Sequence, residues 1–177
     1  MEGSALHAPQ VNARVELGEG ASVSTGLPVL DHLVSELARS ARLQLALEVA
    51  PGTGDQEAIA AGRAFGEALA TPLRAPGASG RGFAWLPADE ALAGAVIEVS
   101  AQPLLAANVD FSGQRVGGLD GDVVASFLRE LARGASLNVH IRVLEGKDSQ
   151  NVLLAIFKAL GAAVGRACRP EEGGTAG

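Results

Sequence analysis

A stretch of eight residues returns 94 positions further along this chain, and no other feature limits its fold as much. Glu36-Leu37-Ala38-Arg39, Ala41 and Leu43 recur as Glu130-Leu131-Ala132-Arg133, Ala135 and Leu137. In an alanine-rich chain six identities alone would carry modest weight. The change of period around them carries more. Leu30, Leu33, Val34, Leu37, Ala38 and Ala41 follow the spacing of one helix face, and then Leu43, Leu45, Leu47 and Val49 alternate with Gln44, Ala46 and Glu48 as on a half-buried strand. In the second copy Leu137, Val139, Ile141 and Val143 alternate with Asn138, His140 and Arg142.

Each strand runs into a glycine-containing turn, Pro51-Gly52-Thr53-Gly54 or Glu145-Gly146-Lys147-Asp148, and then into a second apolar helix over residues 56–69 or 149–168. The pattern predicts an α+β fold made by internal duplication, with two similar half-domains, each a small β-sheet packed on two helices. The first half spans 11–76 and the second 77–169, with 77–82 as linker inside a Pro-, Gly- and Ala-rich loop over 72–82. Further strands are expected over 11–17, 96–99 and 104–111. Residues 1–10 are expected to be flexible and 170–177 disordered.

At 177 residues, 47% of them hydrophobic, the chain can bury a core without staples, and its single cysteine, Cys168, permits no internal disulfide. Cys168 reads as buried packing, with no base beside it in sequence. No uninterrupted apolar run reaches the ~18 residues that suggest a membrane span, and residues 1–10 have no basic cluster ahead of an apolar run, so a cytoplasmic location is expected. A net charge of −6, with 3% aromatics and no tyrosine, argues against nucleic acid and against anionic membranes as partners.

Several motifs in this order resemble the imidazoleglycerol-phosphate dehydratase family. They are Gly26-Leu27-Pro28-Val29-Leu30-Asp31-His32, Pro87-Ala88-Asp89-Glu90-Ala91-Leu92, Gln114-Arg115-Val116-Gly117, Leu137-Asn138-Val139-His140-Ile141-Arg142, Gly146-Lys147-Asp148-Ser149 and Phe157-Lys158-Ala159-Leu160. The resemblance covers residues 11–169 and implies a duplicated fold of the ribosomal protein S5 domain 2-like kind, commonly in a large symmetric oligomer. It also implies a histidine-biosynthesis lyase that dehydrates imidazole glycerol phosphate with paired manganese ions held by histidines and glutamates. Cations on the ring nitrogens would stabilise the negative charge left when a neighbouring carbon loses its proton.

The same resemblance implies ligands from single histidines and from a His-His-x-x-Glu element opening the second helix of each half. His32 and His140 occupy the single-histidine positions. The first element is replaced by Asp55, Gln56 and Ile59, and the second by Gln150, Asn151 and Leu154. Ile59 and Leu154 offer no lone pair and suit a dry helix interface. The chain has only three histidines, His7, His32 and His140, too few for a site of six imidazoles.

On the phosphate side, Gln102 stands where the family carries an arginine, and the family's C-terminal Ser-x-Lys-Gly segment is absent from residues 169–174. Arg81 and Lys158 match cationic positions that could contact a phosphate, though either also reads as a solvated surface charge. His32, one place after an Asp31 N-cap region, reads as a partly exposed or hydrogen-bonded helix residue or as a vestigial ligand position, and so does His140 on its strand. Asp89 and Glu90 read as stabilising a helix or turn start.

These readings lead to an expectation of a catalytically inactive or severely impaired family member with a structural, scaffold or regulatory role. No cofactor is expected, or at most one weak manganese site. The expected partners are further copies of the chain, an intact paralogue in mixed oligomers, and a small phosphorylated ligand. The alternative is an active dehydratase with a reduced metal site or with a site shared with an intact paralogue. A third reading is an anion sensor built on Arg81 and Lys158.

Overall fold

The computed structural model describes residues 9–171. In chain order the first half is β1 (Val11–Leu17), β2 (Ala21–Ser24), α1 (Pro28–Ala41), β3 (Leu43–Val49) and α2 (Asp55–Leu73). The second half is β4 (Arg81–Ala88), β5 (Ala91–Val99), β6 (Leu104–Ala107), the short pair β7 (Arg115–Val116) and β8 (Leu119–Asp120), α3 (Gly121–Ala135), β9 (Leu137–Glu145) and α4 (Ser149–Ala167).

The sheets display the duplication. In the first half β3 is central, antiparallel to β1 and parallel to β2. In the second half β9 takes the same place, antiparallel to β5 and parallel to β6, and β4 adds an extra strand on the outer edge of β5. Leu43, Leu45, Leu47 and Val49 are buried, as are Leu137, Val139 and Ile141, because alternate side chains of a strand share one face. Both α1 and α3 end on a residue in the left-handed region, Arg42 at φ 51° and Ser136 at φ 53°, and each strand starts one residue later.

The helices pair across the halves, α1 on α4 and α2 on α3. Small residues let the backbones touch. A Cβ placed on Gly161 would lie 2.2 Å from the Leu37 carbonyl, and one on Gly66 2.5 Å from the Leu131 carbonyl. Leu37 and Leu131 are the repeated residues, so these contacts are equivalent. The glycines, however, lie one position further apart than the repeat. Phe127 and Phe157 stack at 6.0 Å between ring centroids and join α3 to α4.

Several expectations are corrected by the structure. The loop over 72–82 is shorter than the composition suggests, since α2 runs to Leu73 with Pro72 in its last turn. The linker 77–82 loses Arg81 and Gly82 to β4, which carries Pro87 on a sheet edge, where a missing N–H breaks no ladder. The strand expected over 96–99 begins at Ala91, its buried face supplied by Ala91, Ala93 and Ala95. The strand expected over 104–111 stops at Ala107, where the Asn108 side chain takes over the pairing with the main chain of Val143.

Most of residues 1–10 and 170–177 lie outside the described residues, but the described ends are tied down. The Gln10 carbonyl accepts from the Ala50 N–H at 2.8 Å, and Glu171 pairs with Arg81.

Candidate functional site

Helix α1 opens on Pro28, whose fixed φ suits a first helical position. Asp31 is not its N-cap. It sits in the first turn and reaches back, accepting from the Thr25 N–H at 2.9 Å and from the Thr25 hydroxyl. This fixes the chain entering α1 and turns the exposed His32 toward α4.

There His32 lines a cleft of about 330 Å³ together with Gln150, Asn151 and Leu154. The sequence-aligned single histidine and the three positions of the second His-His-x-x-Glu element therefore meet, across the α1–α4 contact. Pro28, Val29, Leu33, Leu153 and Val116 complete the walls. Helix α4 is capped by Asp148, whose Oδ1 accepts from the N–H groups of Gln150 at 2.8 Å and Asn151 at 3.3 Å.

Asn151 is already engaged. Its amide donates to Glu90 at 2.7 Å, and Glu90 also accepts from the N–H groups of Asp148 at 2.9 Å and Lys147 at 3.3 Å. Glu90 lies in the two-residue turn joining β4 to β5, where Asp89 adopts φ 48°, so the pair Asp89-Glu90 belongs to a hairpin and not to a helix start. The Asp148 N–H first, and then the Asn151 amide, hold the Glu90 carboxyl down to about 2.

The first element lies on α2, the helix equivalent to α4 under the duplication. Asp55 and Ile59 are exposed and Gln56 half-buried. Ile59, at 36% exposure, does not sit in the dry interface expected of it, whereas Leu154 is half-buried. The residue that matters locally is Glu57, unremarked in the sequence. It is buried and accepts from the N–H groups of Gly52 and, at 3.1 Å, Gly54, satisfying two backbone donors at the helix start. An acid in the first turn of an apolar helix was the available signal.

His140 is exposed on the outward face of the second sheet, whose other face carries α4. Within one chain His32 and His140 therefore share no site. Arg81 and Lys158 also lie apart. Lys158 Nζ donates to the Pro87 carbonyl at 2.8 Å near the far end of β4, about 20 Å of strand from Arg81. Arg81 lines a groove of about 840 Å³ with Arg42, Arg166 and Arg169, and its partner there is Glu171 at 2.6 Å. Arg169 spends its guanidinium on the carbonyls of Ala41, Gly165 and Arg42 at the ends of α1 and α4. Gln102 is exposed at a bend before β6. Cys168 is buried, and burial pushes its thiol up to about 11.

A pair of manganese ions held by imidazoles and carboxylates does not fit this donor set. The cleft offers one imidazole, a free amide at Gln150, an amide at Asn151 bound to Glu90, and otherwise apolar walls. Among the described residues no three histidine, cysteine, aspartate or glutamate side chains converge as metal ligands would.

The fold is a duplicated α+β scaffold in which the second helix of each half packs beside the first helix of the other. Residues 25–164 match the family model for imidazoleglycerol-phosphate dehydratase. Among curated relatives, the imidazoleglycerol-phosphate dehydratase of Clostridium botulinum (strain Kyoto / Type A2) is 31% identical over 172 residues, covering 92% of this chain and 86% of that protein. The imidazoleglycerol-phosphate dehydratase of Anaeromyxobacter dehalogenans (strain 2CP-C) is 37% identical over 172 residues, covering 92% and 80%. The crystal structure of the imidazoleglycerol-phosphate dehydratase of Staphylococcus aureus subsp. aureus N315 superposes with a TM-score of 0.83 at 28% identity, covering 91% of this chain and 94% of that one. This chain belongs to the imidazoleglycerol-phosphate dehydratase family.

Proposed function

We propose that this chain is a member of the family that does not carry out the dehydration, and that it serves as a self-associating structural, scaffold or regulatory protein. One observation carries the reading. The cleft that gathers His32 with the three positions of the second His-His-x-x-Glu element presents Gln150, Asn151 and Leu154, and Asn151 is bound to Glu90. An amide is a weak ligand for manganese beside a carboxylate or a neutral imidazole, and a leucine is none. The packing half of the family pattern is intact: the repeated helices, the close glycine contacts and the paired sheets. No step of the family's reaction is assigned to residues of this chain.

The family's phosphate-binding cations survive in part as Arg81 and Lys158, and a small phosphorylated ligand is the one small molecule this reading retains. The two cations do not converge within one chain, so such a ligand would be held by one of them or between copies. Unchanged thermal stability in millimolar phosphate ester removes it.

A second reading is favoured by the outward position of His140 and by relatives at 31–37% identity that bear the enzyme's name. In it, a site shared between this chain and an intact paralogue supports turnover. Co-purification separates the readings. A mixed oligomer with altered dehydratase activity supports the second, and separate elution with no manganese and no turnover in this chain supports the first.

A further inference from the structure

Helices α1 and α4 run parallel, with Gly161 against the Leu37 carbonyl and Gly165 against the Ala41 carbonyl, so they end side by side. Two helix C-termini in one place bring together unpaired carbonyls and two negative dipole ends. Arg169 answers both. Its guanidinium donates to the carbonyls of Ala41 at 3.0 Å and Arg42 at 2.7 Å at the end of α1, and to that of Gly165 at 2.8 Å at the end of α4. The main chain beside it is held as well, since the Ser79 N–H donates to the Arg169 carbonyl at 2.9 Å.

The α2–α3 pair is tied differently. Arg63, Gly66 and Arg74 stand 95 positions before Lys158, Gly161 and Arg169, so they are equivalent under the duplication. Arg74 reaches only one carbonyl, that of Ala135, at 3.3 Å, longer than a strong N–H···O bond. What holds α2 to α3 is Arg63, which donates to the buried Glu130 at 2.9 Å in the body of both helices. The α1–α4 pair lacks this tie. Lys158 is turned to the Pro87 carbonyl, and Glu36, the repeat of Glu130, pairs with Arg39 of its own helix. Among the described residues, the hydrogen bonds between α1 and α4 or its C-terminal extension come from Ser40, to the Lys158 carbonyl, and from Arg169. Both act at the closing end of α1. The opening ends of the two helices are joined by none, and between them lies the cleft of His32, Gln150, Asn151 and Leu154.

We propose that the α1–α4 pair is a clip, fastened at its closing end by Arg169 and free to widen at the cleft, and that Arg169 is the positioning residue that sets the width of the cleft. Between His32 and Ala41 lie about 14 Å of helix. A helix packed along its length moves as a rigid element, so a small rotation at the fastened end becomes a change of separation at the other. Leu30, Leu33 and Val34 stay buried in the core, so loss of Arg169 loosens the pair without unfolding the chain. The inference rests on the reading above for the choice of this cleft as the site, and it uses none of the lost metal donors.

Hydrogen exchange read by mass spectrometry on the full-length chain, with no metal added, tests it. A residue that only caps two helix ends would, on removal, fray residues 39–43 and 163–168 and leave the cleft end as it was. The clip predicts that Arg169→Gln also speeds exchange several-fold over residues 31–36 and 152–157. Arg169→Lys, which keeps a cation at the two helix ends, restores part of the protection at both places. Arg74→Gln speeds exchange only at the ends of α2 and α3, because Arg63 still ties that pair. Faster exchange confined to the helix ends in Arg169→Gln, or an equal rise over 31–36 and 152–157 in Arg74→Gln, would overturn the inference. Should Arg169→Gln fail to fold, Arg169→Lys is read on the same peptides, and frayed helix ends beside an unchanged cleft end overturn it there. Manganese content and turnover enter none of these outcomes, so failure here is distinct from failure of the proposed function.

Discussion

The side-chain amide of Asn151 is bonded to the carboxylate of Glu90 at 2.7 Å, tying the start of α4 to the β4–β5 turn. Asn151 thus serves as a clamp between hairpin and helix, and under the proposed function it stands where the family element carries its second histidine. Glu90→Gln and Asn151→Ala each lower Tm, and the double substitution lowers it by less than the sum, because both remove the same contact. The pH dependence has a defined sign. The carboxyl lies at about 2 in the folded chain against an ordinary 4.5. Its stabilisation is therefore complete above the unfolded value and lost as pH falls from about 4.5 to about 2. The gap in stability between the unmodified chain and Glu90→Gln is widest near neutral pH and closes across that window.

Restoring the donors should restore the metal. The triple substitution Gln150→His, Asn151→His and Leu154→Glu rebuilds the family's second element beside His32 in the same cleft. Added manganese is expected to raise the Tm of this variant in a concentration-dependent way and to leave the unmodified chain unchanged. An equal rise in both would place the metal elsewhere.

The duplicated packing makes a symmetric prediction. Gly161→Ala pushes a methyl to 2.2 Å from the Leu37 carbonyl, and Gly66→Ala pushes one to 2.5 Å from the Leu131 carbonyl. Backbone cannot yield as a flexible side chain does, so each substitution is expected to cost about 1–3 kcal/mol, or more, by chemical denaturation. A cost at one site only would argue that the α1–α4 and α2–α3 contacts are not equivalent.

Cys168 is buried, with its thiol held near 11 by desolvation. At pH 8 it should react with a thiol reagent far more slowly than a free cysteine, and at the ordinary rate once denaturant unfolds the chain. Fast labelling of the native protein would show that the end of α4 opens.

Much of the architecture was legible because the repeat and the changes of period coincide. Leu43 to Val49 alternate cleanly since one face of β3 is buried and the other wet. Strand β4 was hidden, because Gly82, Ala84 and Pro87 have weak strand preference and the strand is placed by packing on α4. The start of β5 was hidden for a related reason, its buried face being built from alanines that fit beneath a helix. The meeting of His32 with Gln150, Asn151 and Leu154 could not be read from periodicity, since it depends on α1 crossing to the helix of the other half. The role of Asn151 depends on the Asp89-Glu90 turn folding back over α4, a contact 61 residues apart in sequence.

The central claim is that the scaffold persists without its metal pair. Metal analysis of the purified chain, after saturation with manganese and exhaustive dialysis, tests it most directly when the same sample is assayed for dehydration of imidazole glycerol phosphate. The account predicts manganese far below stoichiometric and no turnover. About two manganese ions per chain, retained through dialysis and accompanied by turnover, would contradict it.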